Sequence, residues 1–195
     1  NINNNIRGNY YLSLSAGYTE APDAMFIFGD PGRFEYEGNF SGELALGYDF
    51  GKWRYEIAYT KTHTKKTSHI LGGIKSNYIL GDVDYNNIVF NVYRDLQLKK
   101  SKFTPYIALG IGFSTVEYGK ELFDNGNEYP SNKSSSSVGQ IKVGTDYKIS
   151  DKFDLFLEGN SAVYSKSNYY PFTGELPAET YNSNYGLKIG LKYHL

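Results

Sequence analysis

Apolar residues recur at every second position in eight separate stretches of the chain, and nothing else in the sequence constrains the fold as strongly. The cleanest stretch comes last. In "NYGLKIGLKYHL", Tyr185, Leu187, Ile189, Leu191, Tyr193 and Leu195 alternate with Gly186, Lys188, Gly190, Lys192 and His194. Period two is the side-chain period of a β-strand, whose successive residues point to opposite faces. Chain ends fray unless something ties them down. A strand that runs to the last residue is therefore expected to be paired in a sheet.

The other stretches repeat the pattern. "NYYLSLSAGY" sets Tyr10, Leu12, Leu14 and Tyr18 against Tyr11, Ser13, Ser15 and Gly17. "NFSGELALGYDF" sets Phe40, Leu44, Leu46 and Tyr48 against Ser41, Glu43, Ala45 and Gly47, and "WRYEIAYT" sets Trp53, Tyr55, Ile57 and Tyr59 against Arg54, Glu56, Ala58 and Thr60. "NIVFNVYRDL" alternates less decisively. "FTPYIALGIGF", "GQIKVGTDYKI" and "FDLFLEGNSAVY" complete the set before the terminal strand. The connections alternate in length. Gly51-Lys52, Gln97 to Lys102 and Ser150 to Lys152 are short; Thr19–Glu37, Thr62–Asp84, Ser114–Ser136 and Ser165–Ser183 read as long loops. Pro22, Pro31, Pro130, Pro171 and Pro177 fall in those long segments, where a missing backbone donor costs no ladder bond.

An even number of antiparallel strands, short turns at one rim and long connections at the other is the plan of a transmembrane barrel. A soluble lipocalin-type barrel also has eight strands and shows the same alternation, with its apolar face turned inward. Two features separate them. The charged faces carry many small residues, among them Gly17, Ala45, Gly47, Ala58, Ala108, Gly110 and Gly144, which a narrow interior needs and a solvated exterior does not. The apolar faces end in aromatics at the short-turn level, including Tyr10, Phe50, Trp53, Phe103, Tyr147 and Phe153, as a membrane interface requires. The expectation is an all-β, eight-stranded, antiparallel up-and-down transmembrane β-barrel: a single domain over residues 1–195 with four long extracellular loops, in contact with outer-membrane lipid.

Composition agrees. The 195 residues suffice for one domain, and 20 Tyr, 12 Phe and 21 Gly favour strands and tight turns over helices. The formal net charge of −1 argues against a nucleic-acid partner, and the absence of cysteine excludes disulfides and thiolate metal sites. No apolar run is long enough for a transmembrane helix. No signal peptide is visible in "NINNNIRGN", so the chain is expected to be a mature form whose leader has been removed.

The run "FNVYRDL", then "TPYIALGIGFS", then "GQIKVGTDYKISDKFDLFLEG", then "YGLKIGLKYHL" resembles the surface-antigen family of small outer-membrane barrels. That family includes the rickettsial-type major surface proteins and is related in plan to opacity proteins and the OmpA transmembrane domain. The resemblance covers residues 85–195; the first half matches by pattern only. The terminal strand is similar to the assembly signal of such barrels, which usually ends in Phe where this chain has Leu195. The resemblance implies a Gram-negative bacterial cell-surface protein and supplies no catalytic residues.

Three groups are candidate functional residues. Glu43, Glu56, Lys142, Glu158, Lys188 and Lys192 fall on inward positions, where charges must be paired or solvated; they form either a salt-bridged plug or a polar channel. Glu158 is expected to lie between Lys142 and Lys188 or Lys192. His63, Ser68 and His69 occupy the second long connection; in a Lys/Thr/Ser-rich loop they read as solvated, and a rim enzyme would need them arranged as base and nucleophile. Met25, Phe26, Ile27 and Phe28 form an apolar run in the first long connection, either folded over the barrel mouth or exposed to a partner. "DNGNEYPSNKSSSS" reads as a mobile polar loop. No cofactor or metal is expected. The function expected is display of loops to a host protein or an envelope component, with a small-solute channel as the alternative, and a rim enzyme or a soluble lipocalin-like binder behind it.

Overall fold

The computed structural model describes residues 9–21, 24–28, 30–98, 101–126, 128–165, 167–169 and 178–195. Every regular element among them is a strand. In chain order they are β1 (Asn9–Glu20), β2 (Ala24–Phe28), β3 (Asp30–Glu37), β4 (Asn39–Asp49), β5 (Trp53–Leu71), β6 (Ile74–Leu80), β7 (Asp82–Asp95), β8 (Phe103–Tyr118), β9 (Glu121–Phe123), β10 (Glu128–Tyr129), β11 (Asn132–Lys148), β12 (Phe153–Tyr164), β13 (Ser167–Tyr169), β14 (Ala178–Tyr181) and β15 (Ser183–His194).

Eight of these strands close a ring. β1 pairs with β4, β4 with β5, β5 with β7 and β7 with β8. β8 pairs with β11, β11 with β12, β12 with β15, and β15 with β1, all antiparallel. Closure removes the sheet edges that would otherwise expose unpaired backbone groups. The terminal strand lies between β12 and β1, and the Leu195 amide still donates to the Tyr10 carbonyl at 2.9 Å.

The apolar face is the outer one. Leu14, Leu109, Ile111 and Phe113 are each more than 60% exposed, while Glu43, Glu158, Lys142 and Lys188 are buried. A soluble barrel cannot leave a continuous apolar belt in water while burying its charges, so the lipocalin-like reading is excluded and the barrel spans a membrane. Trp53, Phe103, Phe153 and Tyr10 lie outward at the short-turn end of the belt.

Among the described residues, much of the long connections is strand. Thr19 faces Asn39 and Ala24 faces Phe34, five steps on each chain, so the β2–β3 pairing keeps the register of the β1–β4 pairing. Val83 faces Tyr118 and Tyr78 faces Phe123, so β6 and β9 pair above β7 and β8, with a register shift between Tyr78 and Leu80. β5 runs straight on to Leu71, where Gly72 and Gly73 (φ +55° and +80°) make the two-residue turn into β6, the left-handed geometry such hairpins need. Residues 132–137, expected as part of a mobile polar loop, belong to β11 and pair with β8, and Pro31 lies inside β3.

These extensions escape an apolar/polar search for a physical reason. Above the belt both faces of β5 are polar as far as His69. On β5, Thr62, Thr64, Lys66 and Ser68 are buried while Lys61, Lys65 and Thr67 are exposed, so the alternation is one of burial alone. Of the fourth long segment, residues 166 and 170–177, with Pro171 and Pro177, lie outside the described residues, as does Pro22.

Candidate functional site

The interior is best followed up β7. Its inward residues climb from Asp95 through Tyr93, Asn91, Val89, Asn87 and Tyr85 to Val83, all buried. Charge gives way to amide, then to aromatic and aliphatic surface. Because β7 is apolar on its inner face here and on its outer face at Ile88, Phe90 and Val92, its alternation is weak in the sequence.

The lowest level is built on Arg54. Its Nε and Nη2 donate to Asp95 Oδ1 at 3.1 and 2.8 Å, its Nη2 lies 3.4 Å from Asp146 Oδ2, and its guanidinium stacks over the Tyr93 and Tyr106 rings at 4.5 and 4.8 Å. Lys192 Nζ donates to Asp146 Oδ2 at 2.6 Å. Two cations meet two carboxylates.

The next level carries three glutamates and two lysines. Lys142 Nζ donates to Glu43 Oε1 at 2.6 Å and lies 3.2 Å from Glu158 Oε1 and 4.0 Å from Glu56 Oε1. Lys188 Nζ donates to Glu43 Oε2 at 2.7 Å. Glu56 is served instead by neutral donors: Tyr11 Oη at 3.0 Å, Tyr93 Oη at 2.7 Å and Asn91 Nδ2 at 3.4 Å. Tyr106 Oη donates to Glu158 Oε2 at 3.1 Å. Such hydroxyl donors to a carboxylate are charge-assisted and strong.

Lys142 sits on β11 and Glu43 on β4, four strands apart in either direction around the ring. Their contact therefore crosses the full lumen. Lys188 pairs in register with Glu158, yet its ammonium does not stop there. It crosses β1 to reach Glu43, and β1 presents only Ser15 and Gly17 at that level. Glycines make room for the large interior side chains elsewhere. A Cβ on Gly47 would lie 2.1 Å from the Tyr11 ring, one on Gly144 2.6 Å from the Tyr106 hydroxyl, and one on Gly190 2.3 Å from the Phe156 ring. The cavity left among these groups is about 10 Å³, room for one water.

Above them Tyr164 Oη accepts from Asn87 Nδ2 at 3.0 Å and Asn184 Nδ2 at 2.7 Å. An apolar level follows, formed by Phe34, Val83, Tyr85, Val116, Tyr118 and Val138. It is topped by the buried pair Lys66–Glu121 at 2.6 Å, with Lys66 Nζ over the Phe34 and Tyr118 rings at 4.4 and 4.5 Å.

The structure thus brings Glu43, Glu56, Lys142, Glu158 and Lys188 together and places Lys192 one level lower. Arg54, Asp95 and Asp146 complete that lower level. All three sit on inward positions legible from alternation, and the missing signal was their pairing across the barrel. Lys66 and Glu121 lie in segments that read as loops.

His63, Ser68 and His69 are not brought into a base–nucleophile arrangement. His63 Nδ1 lies 2.9 Å from Asp84 Oδ1. The Ser68 hydroxyl donates to Glu35. His69 is half-buried rather than solvated, packed on Tyr78 and Phe123 with ring centroids 5.6 and 5.2 Å apart. Among the described residues, no group of three or more His, Asp or Glu could hold a metal ion. Met25, Phe26, Ile27 and Phe28 form the backbone of β2, paired with β3 and β14; their side chains lie outside what the structure describes.

Burial lowers the His69 pKa below its ordinary value, with the Lys66 charge adding to this and Glu121 opposing it. The folded state therefore favours the neutral ring. Its contribution is complete above the ordinary histidine pKa and is lost as pH falls from there through the lowered folded value. Amide exchange in β5, β6 and β9, corrected for intrinsic rates, is expected to be faster at pH 5 than at pH 7.5. The difference should vanish in His69→Phe; persistence there would assign it elsewhere.

No family model matches the chain, and no curated protein matches it in sequence. Solved structures do match in fold. The crystal structure of Neisserial surface protein A superposes with a TM-score of 0.60 at 16% identity, covering 94% of this chain and 96% of that one. The outer membrane protein OprG from Pseudomonas aeruginosa gives 0.63 at 13% identity, covering 96% of each. The outer membrane protease OmpT from Escherichia coli gives 0.61 at 9%, covering 96% and 97%. The fold is that of bacterial outer-membrane β-barrels.

Proposed function

We propose that this chain is a bacterial outer-membrane surface protein of the surface-antigen kind, in which the barrel is an anchor and the strand extensions are the displayed parts. The observation that carries this reading is the contact of Lys142 with Glu43 across the whole lumen at 2.6 Å, roofed by the apolar level of Phe34, Val83, Tyr85 and Val116. Among the described residues the interior is filled with side chains at both levels, which supports a closed lumen, unlike that of wider barrels. The extensions above the belt are paired strands among the described residues and offer surface to a host protein or an envelope component. The resemblance of residues 85–195 to rickettsial-type surface antigens supports the same reading. So does the engagement of Ser68 by Glu35, which leaves its hydroxyl without a histidine base and favours a non-enzymatic role. The short turns then face the periplasm, because an even strand count returns the chain to its starting rim.

Purified protein in a planar bilayer is expected to show no steady single-channel current. A stable, reproducible current from the unmodified protein would overturn the anchor reading and put the small-solute channel in its place.

A further inference from the structure

At the short-turn rim the outward series of β7, Ile88, Phe90 and Val92, ends in Arg94 where its neighbours carry aromatics. Arg94 pairs in register with Trp53, and its guanidinium lies 4.8 Å over the indole ring. Stacking uses the face of the guanidinium and leaves the N–H groups at its edge for a planar anion. Among the described residues no carboxylate pairs with it. The adjacent Asp95 turns inward and is held by Arg54 at 2.8 Å.

A second cation stands beside it. The Lys52 carbonyl accepts from the Asp95 amide at 2.9 Å, which places exposed Lys52 next to Arg94 with no ion-pair partner among the described residues. The site is clamped: Gln97 Nε2 donates to the Gly51 carbonyl at 2.8 Å, joining the two short turns, and the Leu96 amide donates to the Pro105 carbonyl at 2.8 Å. The result is a groove of about 560 Å³ lined by Lys52, Arg94, Asp95, Leu96, Gln97 and Leu98. Leu96 and Leu98 are 53% and 54% exposed; Tyr55 and Val92 form the next outward pair along the same two strands after Trp53 and Arg94, and Tyr55 stacks on Phe90, centroids 6.1 Å apart.

We propose that this groove seats the headgroup of an anionic glycerophospholipid. Its phosphodiester lies between Arg94 and Lys52, and its acyl chains run along Trp53, Tyr55 and Phe90. Two unpaired cations call for a negatively charged headgroup, and the apolar wall and adjoining lipid-facing belt call for an amphiphile rather than a free anion. Cations at this depth attract anionic headgroups. The choice of a glycerophospholipid rests on the reading that the short turns face the periplasm.

Native mass spectrometry of the folded barrel in detergent, titrated with phosphatidylglycerol or phosphatidylcholine, tests the groove. The parent is expected to retain phosphatidylglycerol preferentially. Arg94→Gln and Lys52→Gln should each weaken that retention by about fivefold, while Lys61→Gln, removing an exposed cation from the middle of β5, should leave it unchanged. Unshifted gel mobility of the unheated variants verifies folding. Equal retention of the two lipids, or full retention by the double variant, would overturn the proposal. So would inorganic phosphate displacing phosphatidylglycerol at comparable concentration, since the site would then be one for a free anion. Orientation is read separately, from epitopes inserted at Asn125-Gly126 and at Ser150-Asp151: the first should be labelled on intact cells and the second should not. Reversed labelling would overturn the orientation alone, and lost headgroup preference the groove alone.

Discussion

Replacing Lys142 with methionine is expected to destabilise the barrel by about 3–5 kcal/mol, the typical consequence of leaving a buried charge without its partner. Methionine keeps the length of the side chain and removes only the ammonium. Glu158 then loses the cation 3.2 Å away, and Glu43 keeps only Lys188. The number of carboxylates at that level stays at three while the cations fall to one. Glu158→Ala should be milder, because Lys142 retains Glu43 at 2.6 Å, although Tyr106 loses its acceptor. Adding Glu158→Gln to Lys142→Met should recover part of the loss, since removing both members of a buried pair costs less than removing one. Equilibrium urea unfolding in lipid vesicles measures all three. A Lys142→Met midpoint equal to that of the parent would mean that water reaches these groups and that the lumen is not sealed by them.

Leu46→Arg is expected to cost about 2–4 kcal/mol of barrel stability in a bilayer, the range for a cationic side chain placed near the hydrocarbon midplane. Leu46 is 45% exposed on the outer face, paired with Leu12 and Ile57 on its two neighbours. Ile57→Arg and Leu157→Arg should behave alike, because both side chains are outward. Ala45→Arg should fail differently. Ala45 is 3% exposed and faces Ala58 and Ser13 inside the barrel, so its variant suffers from crowding and from charge added to the interior. The two mechanisms separate with solvent: in detergent, where the outer face is less strictly apolar, the Leu46→Arg penalty should shrink while that of Ala45→Arg persists. Equal penalties for Leu46→Arg in both would remove the argument that lipid is what it meets.

Much of this was readable from single residues and their neighbours. The alternation from Tyr185 to Leu195, and its seven counterparts, marks every strand of the ring, because period two is a local property of the extended backbone. The small residues opposite the apolar ones marked a crowded interior, and Gly47 beside Tyr11 bears that out at the atomic level. The extensions were not readable in the same way. From Thr60 to His69 both faces of β5 are polar, and a rule that looks for apolar against polar has nothing to detect where neither face meets lipid. Lys66 and Ser68 looked like loop residues for that reason, though both are buried.

The sequence by itself determined which residues point inward, which point to lipid and how many strands the ring needs, since each follows from side-chain chemistry repeated at the period of one strand. Only the tertiary structure decided which charges meet. Lys142 reaches Glu43 across the lumen, and Lys188 bypasses its register partner Glu158 to reach the same carboxylate. Arg54 joins Asp95 to Asp146. These pairs lie 99, 145, 41 and 92 residues apart, and their geometry depends on the radius and stagger of the closed barrel and on which intervening strand offers Gly or Ser at the crossing level. No local pattern encodes those quantities, because they come into being only when the last strand closes on the first.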